Sequence, residues 1–142
     1  MIQSSKKFFI FFQNSILLIV RMLVGLAMLS HGFPKLQTLI NGGKIEFYNF
    51  LGLSSTISLG LTVFSEFVCS IFLILGLFSR YAAFFLAFTM IIAAFVFHGG
   101  DPWEKQEMSI IYLCSYFLLL AFGAGKFSID SLIDKRKSTK IY

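Results

Sequence analysis

Long apolar runs alternate with short polar segments along this chain, and the runs have the length of membrane-crossing helices. The pattern predicts spans at residues 14–33, 56–78, 81–97 and 107–122. Pro34 lacks the N–H that a continuing helix needs, so we expect the first span to end at Phe33. Only Ser79 and Arg80 separate the second and third spans, which predicts an antiparallel hairpin.

Two segments outside the spans are also apolar enough to carry structure. The stretch IEFYNFLGL, at residues 45–53, is too short to cross a bilayer and predicts a short interfacial or re-entrant helix. After the glycine-rich helix end at Gly123-Ala124-Gly125, residues 126–142 form an amphipathic segment and a basic tail. The predicted fold class is all-α, an integral membrane four-helix bundle in a single transmembrane domain over residues 1–142.

Composition agrees with a membrane protein, because 57% of the residues are hydrophobic and only 13% are charged. The net charge of +5 comes from basic residues concentrated near the ends, without interleaved aromatic residues, so we expect no nucleic-acid partner. Lys6 and Lys7 precede an apolar run that has no small-residue cleavage pattern, which indicates a retained signal anchor. The positive-inside rule places both termini in the cytoplasm and the chain in the cell (inner) membrane, as a multi-pass protein.

Arg21 lies inside the first apolar run, where an isolated charge costs roughly 2.5 to 3.5 kcal/mol on insertion scales. Counting helical rise back from the outer ends of their spans places Arg21 and Glu66 at a similar depth, roughly 15 Å from those ends. We therefore predict a structural ion pair between Arg21 and Glu66, because each residue would otherwise be an isolated charge in hydrocarbon.

A second polar group is predicted nearer the outer face. His31 ends the first span, His98 ends the third and Glu107 begins the fourth, so with Glu66 they form a candidate substrate or proton-relay site. Imidazoles and carboxylates exchange protons near neutral pH when partly buried, and they can hydrogen-bond a quinone head group. Two imidazoles and two carboxylates are also plausible metal ligands, but no helix has an ExxH spacing, so the metal signal is weak and no metal is assigned.

A purely structural role explains the same residues. His31 and His98 then cap the C-termini of their helices, where a cationic imidazole suits the helix dipole. Glu107 suits a helix N-terminus for the corresponding reason, and Glu66 serves only to neutralise Arg21.

Several motifs, taken in order, give the chain a family resemblance from Arg21 to Asp130. They are R-x3-G and HGFPKL in and after the first span, FLGL before the second, Glu66, LILGLFSRYAAFFLAFTMIIAAFVFH and GAGKFSID. In these features the chain resembles DoxX-type membrane proteins. Val68, Cys69 and Ser70 stand where the family resemblance leads us to expect small glycines.

The resemblance implies a four-helix membrane bundle that acts as a subunit of a quinone-linked oxidoreductase, with quinone as the candidate cofactor. It also places the family's recurring polar positions on Arg21, His31, Lys35, Glu66, Arg80, His98 and Glu107. The expected partners are the lipid bilayer and either other protein subunits or further copies of this chain.

Whether the chain is itself an enzyme stays open, and no catalytic residue is assigned. It carries no sequence motif for haem, flavin or an iron–sulfur cluster, so we expect a partner to carry the redox centre. The alternative is a non-catalytic assembly or scaffolding subunit. A small transporter is less favoured, because the spans show no inverted repeat.

Overall fold

The computed structural model describes the backbone of residues 2–139 and the side chains of residues 6–136. Within these residues the chain is all-helical, with five helices and no strand. The helices are α1 (Ile2–Asn41), α2 (Ser55–Leu75), α3 (Ser79–Phe97), α4 (Trp103–Phe122) and α5 (Ile129–Thr139). The predicted all-α class is confirmed, and residues 140–142 of the predicted basic tail lie outside the described part.

The first helix is much longer than predicted. It contains 40 residues, includes Pro34 and ends at Asn41, so the prediction that Pro34 ends it at Phe33 is wrong. Proline removes one backbone hydrogen bond, but packing against a neighbouring helix holds such a helix together. Here α2 packs directly on this stretch, because Gly32 touches the backbone of Glu66. His31 and Lys35 therefore lie on successive turns of one unbroken helix.

The connection between α1 and α2 contains less helix than expected. Within IEFYNFLGL only Phe50–Gly52 forms a turn of 3₁₀ helix, and Leu51 in it has a positive φ of 51°. So short a stretch forms too few hydrogen bonds to offset the cost of starting a helix, and the predicted interfacial or re-entrant helix does not develop. The turn is nevertheless attached to α2, because the Phe50 N–H donates to Ser58 Oγ at 3.2 Å.

The second and third helices each contain a wider, π-helical segment. In α2 it covers Phe64–Cys69, and in α3 it covers Ile92–Phe97. Such segments hold one extra residue per turn, so the side chains after them point in different directions than a regular helix would give. The hairpin between α2 and α3 is confirmed, although α2 already ends at Leu75 and α3 already begins at Ser79.

Helices α1 to α4 lie side by side. Helix α1 packs along α2 and touches α4, while α3 packs against both α2 and α4. Helix α3 carries a stripe of small buried residues, namely Ala83, Ala87 and Ala94. Small side chains allow the neighbouring helices to approach closely. The larger core side chains are Met28, Leu73, Leu86, Tyr116 and Leu119.

Among the described residues, three helices are long and apolar enough to cross a membrane by length and composition: α1, α2 and α3. Helix α4 is not in that set. It begins at Trp103, four residues before the predicted start at Glu107, and its first turns carry Glu104, Lys105 and Glu107. Its apolar part then runs to Phe122, where Gly123 caps the helix as predicted.

The two ends of this helix assembly differ in character. At one end, which we call the basic end, Asn14 accepts a hydrogen bond from the Lys126 N–H, and Arg21 lies beside Gly76. At the other, which we call the cleft end, Tyr48 packs on Phe97 with ring centroids 5.5 Å apart.

Candidate functional site

A cleft of about 1130 Å³ opens at the cleft end between α1, α2, α3 and α4. Its lining is mostly apolar and aromatic, with a few polar side chains at defined positions, which is the usual make-up of a small-molecule site. The π-helical segments of α2 and α3 both contribute to the wall, and such segments recur at functional sites. The polar and ionisable lining residues are His31, Lys35, Glu46, Tyr48, Ser58, Thr62, Ser65, Glu66, Thr89, His98, Lys105, Ser109 and Tyr112.

A buried ion pair joins α1 to α2 in the wall of the cleft. The ammonium of Lys35 donates to both carboxylate oxygens of Glu66, at 2.6 Å and 2.5 Å. The side chain of Glu66 is 5% exposed, whereas that of Lys35 is 32% exposed, so the pair is open to the cleft on the lysine side. Lys35 has three N–H groups, and one of them is left for a further acceptor.

Arg21 has different partners from the predicted one, so the predicted Arg21–Glu66 ion pair is wrong. Arg21 is only 2% exposed, and it lies at the basic end. Its Nη1 and Nη2 donate to the carbonyl oxygens of Ala124 and Phe127, each at 2.7 Å. The depth estimate failed because α1 extends past Pro34, which moves Glu66 level with Gly32 and Lys35 and away from Arg21.

His98 begins a small polar network beside the cleft. Its Nδ1 lies 2.8 Å from Asp101 Oδ2, and Lys105 Nζ lies 3.6 Å from the same oxygen. The Gln106 amide donates to the Asp101 carbonyl at 2.9 Å, which closes the turn between α3 and α4. The hydrogen bond with His98 holds the pKa of the Asp101 carboxyl below its ordinary value, and Lys105 acts in the same direction.

The remaining candidates separate into one that faces the cleft and one that does not. His31 lines the cleft, with its ring edge-to-face on Tyr112 at 6.2 Å between centroids. Glu107 is exposed and lies outside the lining, so the structure brings His31, Glu66 and His98 to one cleft and leaves Glu107 apart. Glu107 shares its helical face with Ile111 and Leu118, and this face of α4 is exposed, whereas Leu113 and Tyr116 lie on the buried face.

Several residues of the site were not identified from the sequence. Lys35 was placed among the family's recurring polar positions, but its pairing with Glu66 was not predicted. The i, i+4 spacing of Lys35 from His31 indicates a shared helical face only if α1 continues through Pro34. Ser65 and Thr89 link α2 to α3 by a 2.8 Å hydrogen bond, and two hydroxyls in apolar runs predict no particular partner. Asp101 is near His98 in sequence, so its pairing was accessible from the spacing alone.

No group of three His, Cys, Asp or Glu side chains in the described part of the chain is arranged to hold a metal ion. The groups that line the cleft can form hydrogen bonds and exchange protons: they are two ammonium groups, two carboxylates, two imidazoles and two phenols, surrounded by aromatic rings.

Comparison with known proteins gives a family. The chain is 30% identical over 80 residues to a protein of Haemophilus influenzae described as an uncharacterized protein, and the match covers 54% of this chain and 53% of that protein. The chain thus spans about half the length of this relative. No solved structure matches significantly. The sequence model of the family described as DoxX matches residues 16–99, more than half of the chain and including His31, Lys35, Glu66 and His98. The chain therefore belongs to the DoxX family of membrane proteins.

Proposed function

We propose that this chain is an integral membrane subunit of a quinone-linked oxidoreductase, and that its cleft binds a quinone head group and exchanges protons with it. The observation that carries the proposal is the buried Lys35–Glu66 ion pair in the wall of a large, mainly apolar cleft. Burying an ion pair in apolar surroundings costs desolvation free energy, and ionisable residues within a membrane generally have a functional role.

The polar groups of the cleft match the chemistry of a quinone. A quinone has two carbonyl acceptors, and the donors that face the cleft include the remaining N–H of Lys35 and an imidazole N–H of His31. A quinol instead has two hydroxyl donors, for which Glu66 is an acceptor. When the partner subunit supplies two electrons to the quinone, two protons must also reach its oxygens. Histidine and carboxylate side chains are suited to deliver them.

The wall of the cleft on the α2 and α3 side favours a ligand that comes from the bilayer. Four residues that line the cleft on this side are also exposed: Phe64, Phe84, Phe85 and Phe88. Phe64 meets Phe85 edge-to-face at 5.5 Å, so aromatic side chains pack against each other in this part of the wall. Such a wall suits an apolar ligand with a long hydrocarbon tail.

The membrane arrangement that goes with this function has four spans and both termini in the cytoplasm. Helix α4 packs along α3 and returns the chain to the basic end, where Lys126 contacts Asn14. The basic end, with Arg80 and Lys126, then faces the cytoplasm, and the cleft opens towards the outer half of the bilayer. In this arrangement residues 1–142 form a single transmembrane domain.

Binding of a decyl-substituted benzoquinone to the purified protein in lipid nanodiscs, measured by isothermal titration calorimetry, tests the function. We expect saturable binding with one site per chain. Glu66→Gln and His31→Ala should each weaken it at least tenfold. Glu107→Gln is the matched control, because this glutamate is exposed and outside the cleft, and it should bind as the wild type does.

The same titration distinguishes the alternative role. A folded wild-type protein that does not bind the quinone, or that binds it equally well in all three variants, would contradict the proposed site. The chain would then act as a scaffolding subunit, in which the Lys35–Glu66 pair serves only to join α1 to α2.

A further inference from the structure

Helix α5 is held firmly against the basic end. Both carboxylate oxygens of Asp130 accept backbone hydrogen bonds at the start of α3, from the N–H of Phe78 at 2.8 Å and of Ser79 at 2.9 Å. The Asp130 N–H donates to the Gly76 carbonyl at 2.9 Å, and Arg21 holds the Phe127 carbonyl just before α5. The start of α5 therefore has a fixed position relative to α1, α2 and α3.

This attachment leaves an apolar groove, the α5 groove, of about 370 Å³ between the end of α2 and the start of α5. Its apolar members Leu75, Phe127 and Leu132 are exposed, with 59% of Leu132 accessible. The full lining is Leu75, Lys126, Phe127, Ser128, Ile129 and Leu132. Contact between apolar side chains and water is unfavourable, and an apolar occupant of the groove would remove that contact.

The charges around the α5 groove are mostly positive. Lys126 is part of the lining, and Lys135 and Arg136 are exposed residues of α5. Of the two acidic residues in α5, Asp130 is occupied by its hydrogen bonds to the start of α3, which leaves Asp134. An occupant with an apolar part and an anionic part fits both properties of the groove.

We propose that the α5 groove binds one anionic glycerophospholipid, with an acyl chain along Leu75 and Leu132 and the phosphate beside Lys126. A phospholipid is favoured over an acidic soluble protein, because Leu75 ends an apolar helix of membrane-crossing length. The groove therefore lies where hydrocarbon chains meet head groups. This site is at the opposite end from the cleft and does not depend on what the cleft binds.

Thermal unfolding in detergent, followed with added phosphatidylglycerol or with phosphatidylcholine of the same acyl chains, tests the site. We expect phosphatidylglycerol to raise the midpoint by several degrees more than phosphatidylcholine, because a ligand that binds only the folded state stabilises it. Inorganic phosphate at equal concentration should give no such shift, since it has no acyl chain.

Variants localise the effect. Lys126→Gln should remove the preference for the anionic lipid, and Leu132→Ser should weaken stabilisation by both lipids. Lys44→Gln is the matched control and should keep the preference, because Lys44 is an exposed lysine in the connection between α1 and α2. Equal shifts from both lipids in the wild type would overturn the proposal. So would a full effect of inorganic phosphate alone, or a preference retained in Lys126→Gln.

Discussion

Arg21 shows how a single charge is accommodated in an apolar chain. It is buried at the basic end, and its guanidinium binds two main-chain carbonyl groups near the end of α4. These carbonyls belong to Ala124 and Phe127, in the glycine-containing segment where the helix has ended and its acceptors need partners. Arg21 thus fastens the segment that leads into α5.

The hydrogen bonds of Arg21 to the carbonyl groups of Ala124 and Phe127 lead to the first prediction. Arg21→Met should lower the free energy of unfolding by about 3 kcal/mol, because each buried carbonyl left without a donor costs roughly 1 to 3 kcal/mol. Unfolding in detergent by a denaturant titration measures it. Arg80→Met, which changes an exposed arginine at the same end, should cost less than about 0.5 kcal/mol. Rescue of Arg21→Glu by Glu66→Arg would contradict the hydrogen bonds described for Arg21.

The second prediction concerns the ion pair of the cleft. Lys35→Met should destabilise the protein by about 3 kcal/mol, because it leaves the carboxylate of Glu66 buried without its cation. Lys35→Met combined with Glu66→Leu should recover most of that loss. The exposed pair of Lys44 and Glu46, at 3.0 Å, provides the control, and Lys44→Met should change stability by less than about 1 kcal/mol. Equal losses at Lys35 and Lys44 would contradict a buried pair.

At this scale the sequence predicted that charges in apolar helices need partners, but not which partners. The choice of partner depends on which residues of two helices lie at the same depth in the membrane. Because α1 ends at Asn41, eight residues after the predicted end at Phe33, the depth calculated for its residues changes by about 12 Å. Arg21 donates to main-chain carbonyl groups, and the sequence of side chains does not indicate which carbonyl groups accept such hydrogen bonds. Of the four residues predicted to share a site, His31, Glu66 and His98 line the cleft, whereas Glu107 does not.

At the scale of the elements, the close crossing of α1 and α2 decides how the cleft is built. A Cβ atom on Gly32 would lie 2.7 Å from the carbonyl carbon of Glu66 and 2.8 Å from the Phe67 nitrogen. Both atoms are backbone and cannot rotate away. The crossing point is therefore also the place where the π-helical segment of α2 carries Glu66 towards Lys35.

The third prediction follows from that crossing. Gly32→Ala should destabilise the protein by roughly 1 to 3 kcal/mol, because the helices must move apart to admit the methyl group. Gly25→Ala should cost less, since its new Cβ would meet the movable side chain of Ile74. Gly60→Ala should be neutral or stabilising by up to about 1 kcal/mol, because its Cβ would meet no atom within 4 Å. Thermal or denaturant unfolding of the three variants should reproduce this order, and equal effects would refute the close contact.

Elements were predicted more reliably than their ends. Long apolar periodicity identifies helices α1 to α4, because a run of that length has few other stable structures in lipid. Their ends depend on local chemistry that tertiary packing overrides, as Pro34 inside α1 and the early start of α4 at Trp103 demonstrate. The π-helical segments have no sequence signature of their own, so the direction in which the side chains after them point could not be predicted.

At the scale of the whole molecule, the arrangement with four spans leads to a fourth prediction. Single cysteines introduced in a Cys114→Ser background should be labelled from opposite sides of the membrane. Lys44→Cys and Glu104→Cys should react with an impermeant reagent in intact cells, whereas Arg80→Cys and Lys126→Cys should react only after the membrane is opened. Labelling of Glu104→Cys and Lys126→Cys from the same side would exclude α4 as a span.

Pro34 has a mechanical consequence for the molecule as a whole. Its missing N–H leaves the carbonyl of Ser30 without the usual bond, so α1 resists bending least between His31 and Lys35. Beyond that point, the end of α1 and the connection up to Ser54 carry Glu46 and Tyr48, which line the cleft. Any bending of α1 at Pro34 would therefore alter the width of the cleft.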